Sequence, residues 1–331
     1  MLKLHAAVGA AMACVAVAAP AMASADCKLI QIAQFKLDPH SASPLVDGTV
    51  NGHPVKVLLD TGSDFSEITY YETQKLGLPT SEMTGARAYG VGGSTQMYSA
   101  EINRLEVGDL ARNNIVLLVA GDRHDASEVG VVIGDDVLSK ADIEFDLAHN
   151  AIRLFEPKGC TSQQLVYWGA AYSQADLLPW ERDAPRIQTQ VLLNGKQTLA
   201  ELDSGADTTF VDASVADADG ASRSATDAPT GPIHGAGPTP EESWVGHFDS
   251  FGLGDEKISH VAIQVVNIMR GMSYTTTGDL TPRRVSSTQM YVGDDFLRAH
   301  RVFVDNQDHL ILFSYQGGPV FSTAQSAPSV K

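Results

Sequence analysis

A tripeptide that occurs twice constrains this chain more than any other feature. Val57-Leu58-Leu59-Asp60-Thr61-Gly62-Ser63 ends an apolar run with an aspartate, a small hydroxyl residue and a glycine. Ala200-Glu201-Leu202-Asp203-Ser204-Gly205-Ala206 does the same 143 positions later. An aspartate at the end of a buried strand, entering a tight glycine turn, puts a charge where desolvation is expensive. One such residue reads as a turn. Two in matching surroundings point to a chain built to bring two carboxyls together.

The surroundings match along the whole length. Val46–Leu59 reads as a β-hairpin turning at Asn51-Gly52, and Val191–Lys196 turns likewise at Asn194-Gly195. The Gly-dense run Ala88–Thr95 is answered by His234–Gly237. Leu105–Asp109 is answered by Phe251–Asp255, and Val131–Leu138, which breaks at Gly134 into a short helix, by Tyr291–Leu297. Each half closes on a hairpin: Asp142–Leu147 with Ala151–Phe155, then Val302–Asp305 with Leu310–Phe313. Order is kept while the spacing grows, as expected of a duplication that gained loops, and 216–230 and 271–287 fit as surface insertions. A helical turn is expected at Tyr70–Leu76, stopped by Gly77. Residues 30–44 read as a short lead-in and 161–184, with Trp168 and Trp180, as a connector.

The 331 residues suffice for two domains, and 44 % hydrophobic with 19 % charged residues gives a packed core. A net charge of −17 argues against a nucleic-acid partner, whose phosphates it would repel. Lys3, the apolar run Ala6–Ala19 and the small-x-small sites at 21–25 read as a secretory signal over residues 1–25, which carries Cys14 away with it. No later stretch is apolar enough to span a membrane, so no stable insertion is expected after its removal. Cys27 and Cys160 remain, and in the periplasm or outside the cell an even pair reads as a disulfide. G-x-S-x-G and H-E-x-x-H are absent and the histidines are scattered, so His53, His234 and His247 read as turn or surface residues. Neither metal nor cofactor is expected.

Asp60-Thr61-Gly62-Ser63 and Asp203-Ser204-Gly205-Ala206, each with its downstream apolar-apolar-Gly segment, resemble the pepsin-like and retropepsin-like aspartic peptidases. Each half is nearer in style to a retropepsin subunit, so the chain looks like two fused subunits. The resemblance implies an all-β, bilobal acid-protease fold: two pseudo-twofold-related, barrel-like lobes around a central cleft. It assigns 26–160 to an N-terminal lobe, 161–184 to the connector, 185–318 to a C-terminal lobe and 319–331 to a tail. It implies an endopeptidase acting on extended polypeptide, monomeric because both half-sites lie in one chain. By carry-over, Asp60 and Asp203 are catalytic, and Thr61, Gly62, Ser204 and Gly205 support them. Tyr89, Gly90, Gly92, Gly93 and Gly235 belong to flap and cleft. Asp64 and Asp207 either hold substrate backbone or are surface carboxylates. Retropepsins carry an arginine after the downstream glycine to support that aspartate; this chain has Asp135 and Asp294 there, so its support must come from elsewhere.

A second reading is a peptide-binding or partner-processing module that kept the fold and lost most of its turnover. Two intact Asp-hydroxyl-Gly motifs speak against it, because an inactive copy is free to replace either aspartate.

Overall fold

A computed structural model describes residues 26–120, 128–169, 171–179, 185–227, 230–268, 273–274, 283–284 and 288–321. The expected signal, Trp180, most of the 271–287 insertion and most of the tail lie outside these residues. The first half contributes β1 (Lys28–Lys36), β2 (Leu45–Val50), β3 (His53–Leu59), β4 (Glu67–Ile68), β5 (Thr80–Gly90), β6 (Gly93–Val107), β7 (Leu110–Ala120), β8 (Val129–Ile133), β9 (Asp142–Asp146) and β10 (Ala151–Lys158). The second adds β11 (Ser173–Asp176), β12 (Gln188–Leu193), β13 (Lys196–Leu202), β14 (Phe210–Asp212), β15 (Ser243–Leu253), β16 (Glu256–Val266), β17 (Ser273–Tyr274), β18 (Arg283–Arg284), β19 (Met290–Val292), β20 (His300–Asp305) and β21 (Leu310–Tyr315). The helices are short: α1 (Tyr70–Lys75), α2 (Asp135–Leu138), α3 (Ser162–Leu165), α4 (Ala213–Ala218) and α5 (Asp294–Ala299).

Each half closes a six-stranded barrel. In the first the order is β2-β3-β8-β4-β7-β6, closed by β6 on β2 with Leu105 opposite Val50, and β5 lies outside β6. In the second it is β12-β13-β19-β14-β16-β15, closed by β15 on β12 with Phe251 opposite Leu193. Side chains alternate across the pleat, so Val55, Val57 and Leu59 of β3 and Val191 and Leu193 of β12 point into the two cores. The hairpin turns sit at Asn51-Gly52 and Asn194-Gly195, all four with positive φ. That is the left-handed conformation a two-residue hairpin demands. The fold is therefore the bilobal all-β architecture that the duplicated motif implies.

A third, six-stranded sheet joins the lobes in the order β1-β10-β9-β20-β21-β11. Its centre is the pairing of β9 with β20, Phe145 opposite Val302 and Ile143 opposite Val304, all buried. On its other face Glu144, fully buried, accepts from Arg153 Nη1 (2.8 Å), Arg301 Nε (2.7 Å) and the Tyr167 hydroxyl (2.8 Å). The lead-in at 30–44 and the connector at 161–184 are thus more ordered than their sequences suggest: the former overlaps β1 and the latter contains α3 and β11. The 216–230 insertion also begins inside structure, since buried Ala216 belongs to α4.

Cys27 and Cys160 form a disulfide, fastening β1 to the far end of β10. The bridge closes a separation of 133 residues. Its removal in a Cys160→Ser variant should lower unfolding stability by about 2–4 kcal/mol in denaturant titration, mostly through a freer unfolded chain.

Candidate active site

The two motifs meet at the bottom of the groove between the barrels. In each lobe the motif strand runs parallel to the later Gly-ending strand, β3 beside β8 and β13 beside β19. The backbone N–H of Asp60 donates to Ile133 O (2.9 Å) and that of Asp203 to Val292 O (3.0 Å), fixing both residues where their strands stop. Gly62 N–H then donates to Asp60 Oδ1 and Gly205 N–H to Asp203 Oδ1, each at 2.8 Å.

Thr61 and Ser204, both fully buried, clamp the lobes together. The Thr61 hydroxyl donates to Leu202 O (2.8 Å) and accepts from Ser204 N–H (3.1 Å). The Ser204 hydroxyl donates to Leu59 O (2.8 Å) and accepts from Thr61 N–H (3.1 Å). Four buried donors find acceptors in one reciprocal exchange.

The glycines permit the approach of the carboxyls. A Cβ on Gly62 would fall inside the Asp203 carboxyl, and one on Gly205 inside that of Asp60. The Asp60 and Asp203 carboxyls are thus brought together, each packed against the glycine of the other half. Burial raises both above the ordinary carboxylate range; for Asp203 the charges of Asp60 and Glu201 add to it. Two carboxyls in such contact are held most cheaply with one proton between them.

The Gly-Asp-Asp segments brace the motifs identically. Gly134 N–H donates to Ser66 Oγ (3.1 Å), and Ser66 N–H and Oγ both reach Asp136 Oδ1 (2.7 Å). Gly293 N–H donates to Thr209 Oγ1 (3.0 Å), and Thr209 N–H (2.9 Å) and Oγ1 (2.6 Å) reach Asp295 Oδ1. Asp135 and Asp294 point inward, and among the described residues no hydrogen bond reaches either carboxyl. Burial first, then the charge of Glu201, pushes Asp135 up to about 10; burial pushes Asp294 well above the ordinary range. In both, burial favours the neutral acid over the carboxylate.

Tyr89, Gly90, Gly92 and Gly93 form the tip of the β5–β6 hairpin, and this tip touches the second lobe. Gly237 N–H donates to Val91 O (3.0 Å) and Thr239 N–H to Gly92 O (3.2 Å), while a Cβ on Gly235 would meet Val91 O at 2.7 Å. The two Gly-rich segments therefore roof a cleft of about 780 Å³. Its lining includes Asp60, Asp203, Asp64, Asp207, Tyr89 and Gly235. Among the described residues, no group of three or more His, Cys, Asp or Glu side chains is arranged to hold a metal ion.

The sequence profile described as Aspartyl protease matches residues 46–137 and again 189–279. The chain belongs to the aspartyl protease family. Its two matched segments are two retropepsin-like halves fused in tandem. No curated protein matches the sequence at a significant level.

Several cleft residues of this aspartyl protease were not singled out from sequence. Asp64 is held by Arg186 of the other half, Nη2 to Oδ2 at 2.8 Å, and Arg186 Nη1 lies 3.3 Å from Glu201 Oε2. Asp207 accepts from the Ser43 hydroxyl at 2.6 Å, also across the lobes. Ser43 precedes Asp60 by as many positions as Arg186 precedes Asp203, so the two crossings are pseudo-symmetric. That equal spacing is the signal by which Arg186 was findable. The support expected from an arginine after Gly134 comes instead from Arg186, whose place in the chain lies just before the second hairpin.

Proposed function

We propose that this protein is an aspartic endopeptidase that hydrolyses extended polypeptide through water activated by Asp60 and Asp203. The observation that carries this reading is the convergence of the two aspartates, each carboxyl lodged against the other half's glycine beneath a roofed cleft. The ionised member takes a proton from water, whose oxygen attacks the peptide carbonyl carbon. The protonated member gives its proton to the carbonyl oxygen as charge develops there. Collapse of the resulting gem-diol transfers a proton to the amide nitrogen, the C–N bond breaks, and an acid and an amine leave. No covalent enzyme intermediate forms. The pair titrates as a unit, so neither carboxyl alone owns the role of base.

The hairpin tip at Tyr89–Gly93 acts as a flap that excludes water from the reacting bond, and substrate enters once the Val91–Gly237 and Gly92–Thr239 contacts part. The tied positions of Asp64 and Asp207 set the width of the cleft on either side of the dyad. One chain completes the site, which favours a monomer. The Lys3-led apolar segment and the Cys27–Cys160 bridge support secretion to the periplasm or beyond, and no described helix is long and apolar enough to cross a membrane.

The test is cleavage of an unfolded polypeptide by the protein lacking residues 1–25, followed from pH 3 to 7. A bell-shaped kcat/KM profile, suppressed by a statine-type inhibitor, is expected. Cleavage indifferent to that inhibitor, or abolished by a chelator, would refute the assignment.

A further inference from the structure

The two flanks of the dyad are built on the same plan but carry opposite chemistry. Glu67 of β4 stands opposite Val132 of β8 in one lobe; Phe210 of β14 stands opposite Tyr291 of β19 in the other. Glu67 follows Asp60 by as many positions as Phe210 follows Asp203. Phe210 and Tyr291 stack at 5.1 Å and, with Ile233 and Val91 of the roof, make an apolar flank. At the matching place in the first lobe a single carboxyl projects into the cleft between Leu118 and Val132, its cross-strand neighbours.

Among the described residues no hydrogen bond or ion pair reaches the Glu67 carboxyl. The two arginines that line the cleft are committed elsewhere, Arg186 to Asp64 and Glu201, Arg87 to Ser94. Burial, and then the charge of Asp60, raises Glu67 to about 7. An apolar-walled recess ending in one unpaired acid fits a lysine or arginine side chain, whose methylenes lie on Leu118 and Val132 while the head reaches the carboxyl.

We propose that Glu67 makes the Asp60 side of the cleft a pocket for a basic substrate side chain, while Phe210 and Tyr291 select an apolar or aromatic one on the Asp203 side. The identification of these side chains as flanking a cleaved bond rests on the peptidase reading; the charge preference does not.

The test uses peptides in which lysine is exchanged, position by position, for norleucine, which keeps the stem and loses the charge. The native protein should prefer lysine at one position next to the cleaved bond. Glu67→Gln, which keeps the volume, should lower the lysine-to-norleucine ratio of kcat/KM roughly 30-fold, the scale of removing one partner of a desolvated charge pair. The same peptides are titrated against the Asp203→Asn protein, whose dissociation constants need no turnover. A native protein indifferent to lysine at every position, or a Glu67→Gln variant with an unchanged ratio, overturns the proposal. So do lysine and norleucine peptides held equally, or not at all, by Asp203→Asn. A lysine preference in binding by a native protein that never cleaves would overturn the peptidase reading and uphold this one.

Discussion

Asp203→Asn should reduce kcat/KM for peptide cleavage by at least roughly 10³-fold, within the range expected for loss of a general acid–base group, and Asp60→Asn should do the same. The amide matches the carboxyl in size, so the close fit against Gly62 and the exchange between Thr61 and Ser204 have no reason to change. In the proposed mechanism what is lost is the shared proton: an amide neither takes one from water nor gives one to a carbonyl oxygen. The thermal midpoint at neutral pH should not fall, because burial and the charge of Asp60 already make an ionised Asp203 unfavourable. Inactivity with an undiminished midpoint separates lost chemistry from lost structure. Since the two carboxyls act as one unit, the double variant should be no less active than either single one. Substantial cleavage by Asp203→Asn would assign the reaction to other residues.

Much of this site is legible in local sequence because local sequence dictates it. Asp60 and Asp203 fall where apolar runs end, Asn51-Gly52 and Asn194-Gly195 announce the hairpins before them, and Gly134 and Gly293 mark strands too crowded for a Cβ. At Gly134 that Cβ would meet Ser63 O at 2.6 Å and at Gly293 Ala206 O at 2.5 Å, so the close approach of the later strand to the motif loop is written into one residue type. The interlobe sheet is different. Lys28 pairs with Lys158 and Ser173 with Phe313, partners more than a hundred residues away, and no turn residue signals such a pairing. Hence β1 and β11 read as lead-in and connector. The crossings of Arg186 to Asp64 and Ser43 to Asp207 likewise join partners far apart in the chain, and Glu67 and Phe210 hold equivalent places in different halves. Each shows once residues are counted from the two aspartates, Ser43 and Arg186 falling at one offset and Glu67 and Phe210 at another.

The native protein should lose stability as pH rises from 5 to 7, the reverse of what paired surface carboxylates produce. In the unfolded chain a carboxyl titrates near 4. In the folded one Asp135 holds its proton up to about 10, Asp142 and Glu67 up to about 7, and Asp294 well above the ordinary range, burial being the first cause in each. A folded-state value above the unfolded one gives stability that is fully present below about pH 4 and is lost as pH climbs to the folded value. For one such group the ideal slope is about 1.4 kcal/mol per pH unit, and local relaxation reduces it. The carboxyls shifted the other way, among them Asp38 and Asp146, lose their contribution only as pH falls below about 4, outside this window. Between pH 5 and 7 the buried acids therefore decide the sign, and the thermal midpoint should fall by several degrees. Asp135→Asn combined with Asp294→Asn should flatten the slope, because the amides have no proton to lose; the gain over native should be larger at pH 7 than at pH 5. A native midpoint that rises across the same interval would mean that these two carboxyls are ionised inside the protein, and that a cation or a donor reaches them.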